Sequence, residues 1–183
     1  MKDLFRKYKS VIRFVVLFLG TYLILTLAYS LYLHLSKGSS YPPDYITNLV
    51  AKQSSNLLNG FGYEAEVVPH ETQPTMKLFV ENQYLARIIE GCNAVSIIIL
   101  FIAFIVAFAE NLRKTLLFIF AGAVLIYAVN IIRIAILAMA LHKYPNYETV
   151  LHGVVFPGII YGMVFLLWML WVRMLSNRSR SNE

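Results

Sequence analysis

The chain has 183 residues, 58% of them hydrophobic, against roughly 45–50% in ordinary soluble domains, and its mean hydropathy is +0.63. The net charge of +6 would suit a nucleic-acid binder, but the basic residues flank apolar runs as membrane orientation determinants do, so lipid is the expected partner and nucleic acid is not. A single cysteine excludes an internal disulfide framework, and with scattered histidines it offers no metal-ligand spacing; no cofactor is expected.

In chain order, residues 1–13 are a basic start carrying Lys2, Arg6, Lys7, Lys9 and Arg13, followed by an apolar run over 14–35. That run is longer than a signal-peptide core and lacks a small-residue cleavage site, so it is expected to be an uncleaved anchor helix. Residues 36–91 form the one sizeable polar segment. Lys37-Gly38-Ser39-Ser40 and Pro42-Pro43 mark a linker and turn. Asp44 is placed to N-cap a short helix, with Ile46, Leu49, Val50 and Leu57 as its apolar stripe and Gly60 and Gly62 at its end. Phe61–Val68 and Met76–Val80 predict a β-hairpin. A segment of this size holds little core of its own and is expected to rest on the helices.

Three further spans are predicted, at 92–109 (its apolar stretch extending back through Leu85–Ile89), 115–141 and 153–175. Short loops at 110–114 and 142–152 join them, and a tail follows at 176–183. The fold class is therefore an all-α polytopic membrane protein with about four transmembrane helices and a small extracytoplasmic helix and β-hairpin. Orientation follows from lysine and arginine. Lys2, Arg6, Lys7, Lys9, Arg13, Arg113, Lys114, Arg173, Arg178 and Arg180 fall on the side of the N-terminus, against Lys37, Lys52, Lys77, Arg87 and Lys143 on the other. This two-to-one bias predicts both termini in the cytoplasm and residues 36–91 outside.

That topology brings three out-of-place residues to one face. Cys92 opens the second span and His152 precedes the fourth. Arg133 lies inside the third, eight residues before Leu141, about 12 Å below the outer end of its helix, and can snorkel upward. A charge inside a span costs roughly 2.5–3.5 kcal/mol on insertion scales. Asn130, one turn earlier on the same face, implies a polar interior or a structural Arg133–Asn130 pair. Gly91 would permit close backbone approach, and a helix start or a neighbouring guanidinium would lower the Cys92 thiol's pKa. Each residue also has a plain reading: a small buried hydrophobe for Cys92, an interfacial ring for His152. Gly153 and Pro157-Gly158 suggest a bent helix start beside His152. His142 lies next to Lys143 beyond its span, His70 is read as solvated, and Glu90 and Glu148 receive no role. A thiol, an imidazole and a cation that stabilises an oxyanion are the parts of acyl transfer.

Gly91-Cys92-Asn93, Asn130-x-x-Arg133-Ile134 and His152-Gly153, in this order on successive spans, resemble the three motifs of the exosortase/archaeosortase family. The resemblance covers roughly residues 15–175, and the Glu-Gly-Cys-Asn-Ala wording is similar to the exosortase F branch. It implies a polytopic membrane cysteine protease and transpeptidase of bacterial inner membranes, analogous to sortases but unrelated in fold, that cuts C-terminal sorting signals. The expected partners are secreted proteins bearing a C-terminal helix and a basic tail. Cys92 then matches the acyl-thioester nucleophile, Arg133 the arginine assigned as proton donor, and His152 a base or transition-state stabiliser, with Asn93 and Asn130 in substrate-binding or supporting roles. A guanidinium holds its proton firmly, so electrostatic stabilisation is the preferred role for Arg133. Where many relatives carry Ser-Gly after the cysteine and more helices, this chain has Asn93-Ala94 and about four spans. The competing readings are a non-enzymatic scaffold held by Arg133–Asn130, and a transporter, which the missing repeat symmetry disfavours.

Overall fold

A computed structural model describes residues 8–38, 41–109, 111–147 and 150–181, without the side chains of 147, 152, 156 and 177–181. Lys2, Arg6, Lys7, Ser39, Ser40, Glu110, Glu148 and the side chains of His152, Arg178 and Arg180 lie outside the described residues. The elements are α1 (Lys9–Leu35), α2 (Tyr45–Gly60), β1 (Ala65–Pro69), β2 (Met76–Val80), β3 (Gln83–Ile88), a 3-10 turn (Glu90–Cys92), α3 (Val95–Ala107), α4 (Leu112–Lys143), a second 3-10 turn (Pro145–Tyr147), a π-helical turn (Leu151–Val155) and α5 (Phe156–Ser181). Among the described residues, α1, α4 and a stretch of α5 are long and apolar enough to cross a membrane.

The predicted second span, 92–109, is shorter than expected. Its helix, α3, has 13 residues, about 20 Å against a hydrocarbon core of about 30 Å. It lies antiparallel along α1. Asn93, just before α3, bonds Tyr29 of α1, and Phe108, just after it, packs its ring on Phe14 with centroids 4.6 Å apart. Tyr29 is six residues short of the end of α1, so α3 begins about 9 Å inside the bundle.

The polar segment folds as a cap. Asp44 does cap α2: its Oδ1 accepts from the N–H groups of Ile46 and Thr47 at 3.0 Å. Gly60 ends the helix and Gly62 follows at φ 90°. Strand order is β1-β2-β3, antiparallel throughout, so the hairpin is the first half of a three-stranded sheet. The third strand, Gln83–Ile88, takes up Leu85–Ile88, part of the apolar stretch that runs back from the predicted second span. The turn Glu81-Asn82, with both φ values positive at 51° and 61°, has the backbone of a two-residue hairpin loop.

Two cores meet on α4. Phe101, Ile105, Ile126, Val164 and Trp171 form the bundle core between α3, α4 and α5. Val50, Ala51 and Leu58 of α2, with Met76, Leu78, Val80 and Ile88 of the sheet, pack on Ile134, Ala135 and Ala138. The 32 residues of α4 span about 48 Å, longer than the hydrocarbon, so one helix serves both the bundle and the cap. Close approach of α3 to α4 depends on Gly122, where a Cβ would fall 2.6 Å from Cε1 of the fully buried Phe101 ring. Gly122→Ala is expected to cost about 1–3 kcal/mol by overpacking, read as a lower melting temperature in detergent. Gly20→Ala, which meets nothing within 4 Å, serves as the control.

Candidate active site

Asn130 sits on α4 between Ile126 of the bundle core and Ile134 of the cap core. Its side chain is 1% exposed, and its Nδ2 donates to the carbonyl of Cys92 at 2.7 Å. No hydrogen bond joins Asn130 to Arg133 among the described residues; the amide Nδ2 instead holds the cysteine loop against α4.

Asn93 ties the same loop to the other helices. At 1% exposed, its Nδ2 donates to the Tyr29 hydroxyl at 2.7 Å and the Thr47 hydroxyl at 3.0 Å, and its Oδ1 accepts from the Val95 N–H at 3.0 Å. Asn93 is thus a supporting residue. Tyr32 extends the network by donating to Asp44 Oδ1 at 3.1 Å. Tyr29, Tyr32 and Thr47 were not among the sequence candidates. The signal of the two tyrosines is a pair of hydroxyl-bearing rings three residues apart near the end of the first apolar run.

Two local expectations are corrected. Gly91 has no left-handed backbone and a Cβ there would make only ordinary contact, at 3.8 Å from Ile89. The left-handed residue is Ala94, at φ 64°, a conformation that costs a non-glycine residue roughly 1–2 kcal/mol. Cys92 also does not start the helix. It ends the 3-10 turn, its own N–H donating to the Ile89 carbonyl at 2.8 Å, and α3 begins three residues later. The helix dipole acts within the first turn, and Cys92 lies before the first turn of α3.

Arg133 lies one turn beyond Asn130 on the same stripe of α4, ten residues before the helix ends and hence about 15 Å from it, slightly deeper than expected. Cys92 is free and half-buried, and it packs on the edge of the cap core. Because Asn130 and Arg133 share one stripe of α4, the Asn130 bond brings the Cys92 backbone within a helical turn of Arg133. Among the described residues Arg133 has no salt bridge, and its Nε is buried without a hydrogen-bond partner. The arrangement places a half-buried thiol on the loop that is held to the helix stripe bearing Arg133, a cation with no salt bridge among the described residues.

His152 belongs to the π-helical turn Leu151–Val155. Pro157 has no N–H to give the Gly153 carbonyl, which suits the wider ladder of a π turn. Leu151 packs on Leu137 and Leu141, residues one and two turns past Arg133 on its stripe, so the turn bearing His152 lies against the same face of α4. His142 is nine residues from Arg133, half a rotation around the helix, and its ring meets Tyr63 of the cap at 6.1 Å. His70 caps its own turn, its Nδ1 accepting from Thr72 and Gln73 N–H at 3.2 and 3.3 Å. Neither belongs to the cysteine site.

The Asn130 bond makes a direct prediction. Asn130→Leu removes the donor to a partly buried carbonyl, an expected loss of about 1 kcal/mol. Hydrogen exchange should quicken at residues 90–93 and stay unchanged in β1 and β2. Unchanged exchange at 90–93 would mean that the bond does not hold the loop.

The fold defines a polytopic membrane protein in which the Cys92 loop is bonded to the Arg133-bearing helix at the junction of bundle and cap. The family model of the transmembrane exosortases matches residues 6–174, a range containing Cys92, Asn130, Arg133 and His152, and the chain belongs to that family. No curated protein and no solved structure matches it.

Proposed function

We propose that this exosortase is a membrane-embedded cysteine peptidase and transpeptidase acting on the C-terminal tails of secreted proteins. The Cys92 thiolate attacks the carbonyl carbon of a peptide bond, and negative charge moves onto the oxygen. Arg133 stabilises first the thiolate and then this oxyanion. Collapse expels the amine of the tail, which takes up a proton, and leaves the upstream chain as a thioester on Cys92. Water or an acceptor amine on a cell-surface anchor then attacks the thioester and restores the thiol. His152 is assigned the proton handling or a stabilising contact. The observation that carries the reading is the Asn130 bond to the Cys92 carbonyl, which fixes the thiol loop to the helix stripe bearing Arg133.

The basic-residue bias supports a bacterial cytoplasmic membrane with both termini inside and the cap outside. With the cap outside, Cys92 is recessed in the outer leaflet, within reach of a peptide bond just before a substrate's membrane helix. The Glu90–Ala94 wording favours the F branch.

The test is capture of the intermediate. Membranes quenched in acid during processing should yield a substrate fragment linked to Cys92, released by neutral hydroxylamine as a hydroxamate. Processing without any hydroxylamine-sensitive adduct would rule out thioester chemistry.

A further inference from the structure

The cap has two sheet edges, and among the described residues only the β1 edge has main-chain groups bonded from outside the sheet. At the β1 edge, Asn59 imitates a neighbouring strand: its Oδ1 accepts from the Ala65 N–H at 2.7 Å and its Nδ2 donates to the Ala65 carbonyl at 3.1 Å. Ser55 adds a second bond to that carbonyl at 2.8 Å. The β3 edge has nothing comparable. Among the described residues, no backbone or side-chain group outside β2 bonds the β3 main chain. Gln83, Tyr84 and Arg87 are exposed. Open edges are normally blocked because they template another strand.

This edge leads to the nucleophile. β3 ends at Ile88, Ile89 to Gly91 are exposed, and the 3-10 turn then delivers Cys92, four residues past the strand. We infer that β3 is the substrate-docking strand: the extended segment of the substrate upstream of the scissile bond adds to its free edge, in parallel, so that the next peptide bond falls at Cys92. This inference rests on the peptidase reading above. Direction follows from connectivity. β3 runs toward the bundle before α3 enters it, and a substrate anchored by a C-terminal helix runs from the outside toward the membrane as well. Main-chain bonds then supply affinity with little side-chain demand, which suits an enzyme acting on many tails. Six strand residues cover about 20 Å.

The probe is a reporter carrying a host tail whose cleavage is lost in Cys92→Ala. Full-length Cys92→Ala protein in membranes receives a photo-cross-linking residue at Gln83, Tyr84 or Arg87, with Glu66 of β1 as control. Cross-links are expected from the β3 positions and not from Glu66. The attachment point should move toward the scissile bond as the probe moves from 83 to 87. The reverse order, or labelling from Glu66 instead, overturns the inference. A synthetic copy of the tail, N-methylated at one residue at a time, gives a second readout with wild-type protein. Each lost main-chain bond should slow cleavage by about 2–10-fold at alternate positions, since a parallel partner presents alternate residues to the edge. A uniform effect, or none, overturns it. If no tail depends on Cys92, the peptidase reading itself fails. If cleavage depends on Cys92 but these signatures are missing, only the docking strand is lost.

Discussion

Cys92→Ala should abolish tail processing while leaving the protein at normal abundance. The bond that secures the cysteine loop runs from Asn130 to the Cys92 backbone carbonyl, and the network beside it belongs to Asn93, so neither needs the sulfur. The thiol is half-buried at the rim of the cap core, and its loss removes one atom's worth of packing, on the order of 1 kcal/mol. The chemical loss is far larger. With no nucleophile to form the thioester, the rate is expected to fall by at least ~10³-fold, as for nucleophile deletions elsewhere. Cys92→Ser keeps the shape but presents a hydroxyl that stays protonated beside Arg133, and it should be nearly as inactive. Immunoblots of precursor and processed substrate, read with the melting temperature of the purified variants, check both. Normal processing by Cys92→Ala would end the peptidase reading.

Arg133→Met separates enzyme from scaffold. The guanidinium has no salt bridge among the described residues and an unpartnered Nε, and Asn130 is engaged elsewhere. Replacing a half-buried charge inside a span, with no salt bridge among the described residues, by an apolar side chain of similar length removes an insertion cost of roughly 2.5–3.5 kcal/mol. Abundance should therefore hold or rise. Processing should fall by about 10²–10³-fold, the scale of losing one oxyanion-stabilising group. A maleimide probe should also label Cys92 more slowly, because the thiolate has lost its counter-charge. Arg133→Lys keeps the charge without the planar fork and should fall between the two. If Arg133→Met loses abundance while the labelling rate is unchanged, the arginine is a structural strut and the scaffold reading stands.

The errors of the sequence reading share one physical origin. Leu85, Ile88 and Ile89 adjoin the apolar start of α3, and hydropathy does not distinguish an amphipathic strand under a cap from the first turns of a span. The turn Glu81-Asn82 that ends β2 lacks glycine, so its left-handed backbone has no strong local signature. Ala94 is hidden for the same reason: its positive φ is imposed by the bonds of Asn93 to α1, α2 and the first N–H of α3. Asp44 was readable because capping is local, and so was the end of α2 at Gly60.

The sequence by itself determined that this chain enters a membrane. Transfer free energy is a property of each residue summed along a run, and neither partner nor packing is needed to compute it. The same additivity marked Arg133 and Asn130 as costly and Cys92 as solitary. Only the tertiary structure decided what those residues do to one another. Asn130 and Arg133 share a stripe, which predicts a pair, yet no bond joins them among the described residues and the amide Nδ2 bonds the Cys92 carbonyl instead. That choice depends on α3 being short, on Gly122 admitting Phe101, and on the cap extending its core along the end of α4. It is a competition among neighbours brought together from distant parts of the chain, and no local pattern encodes its outcome.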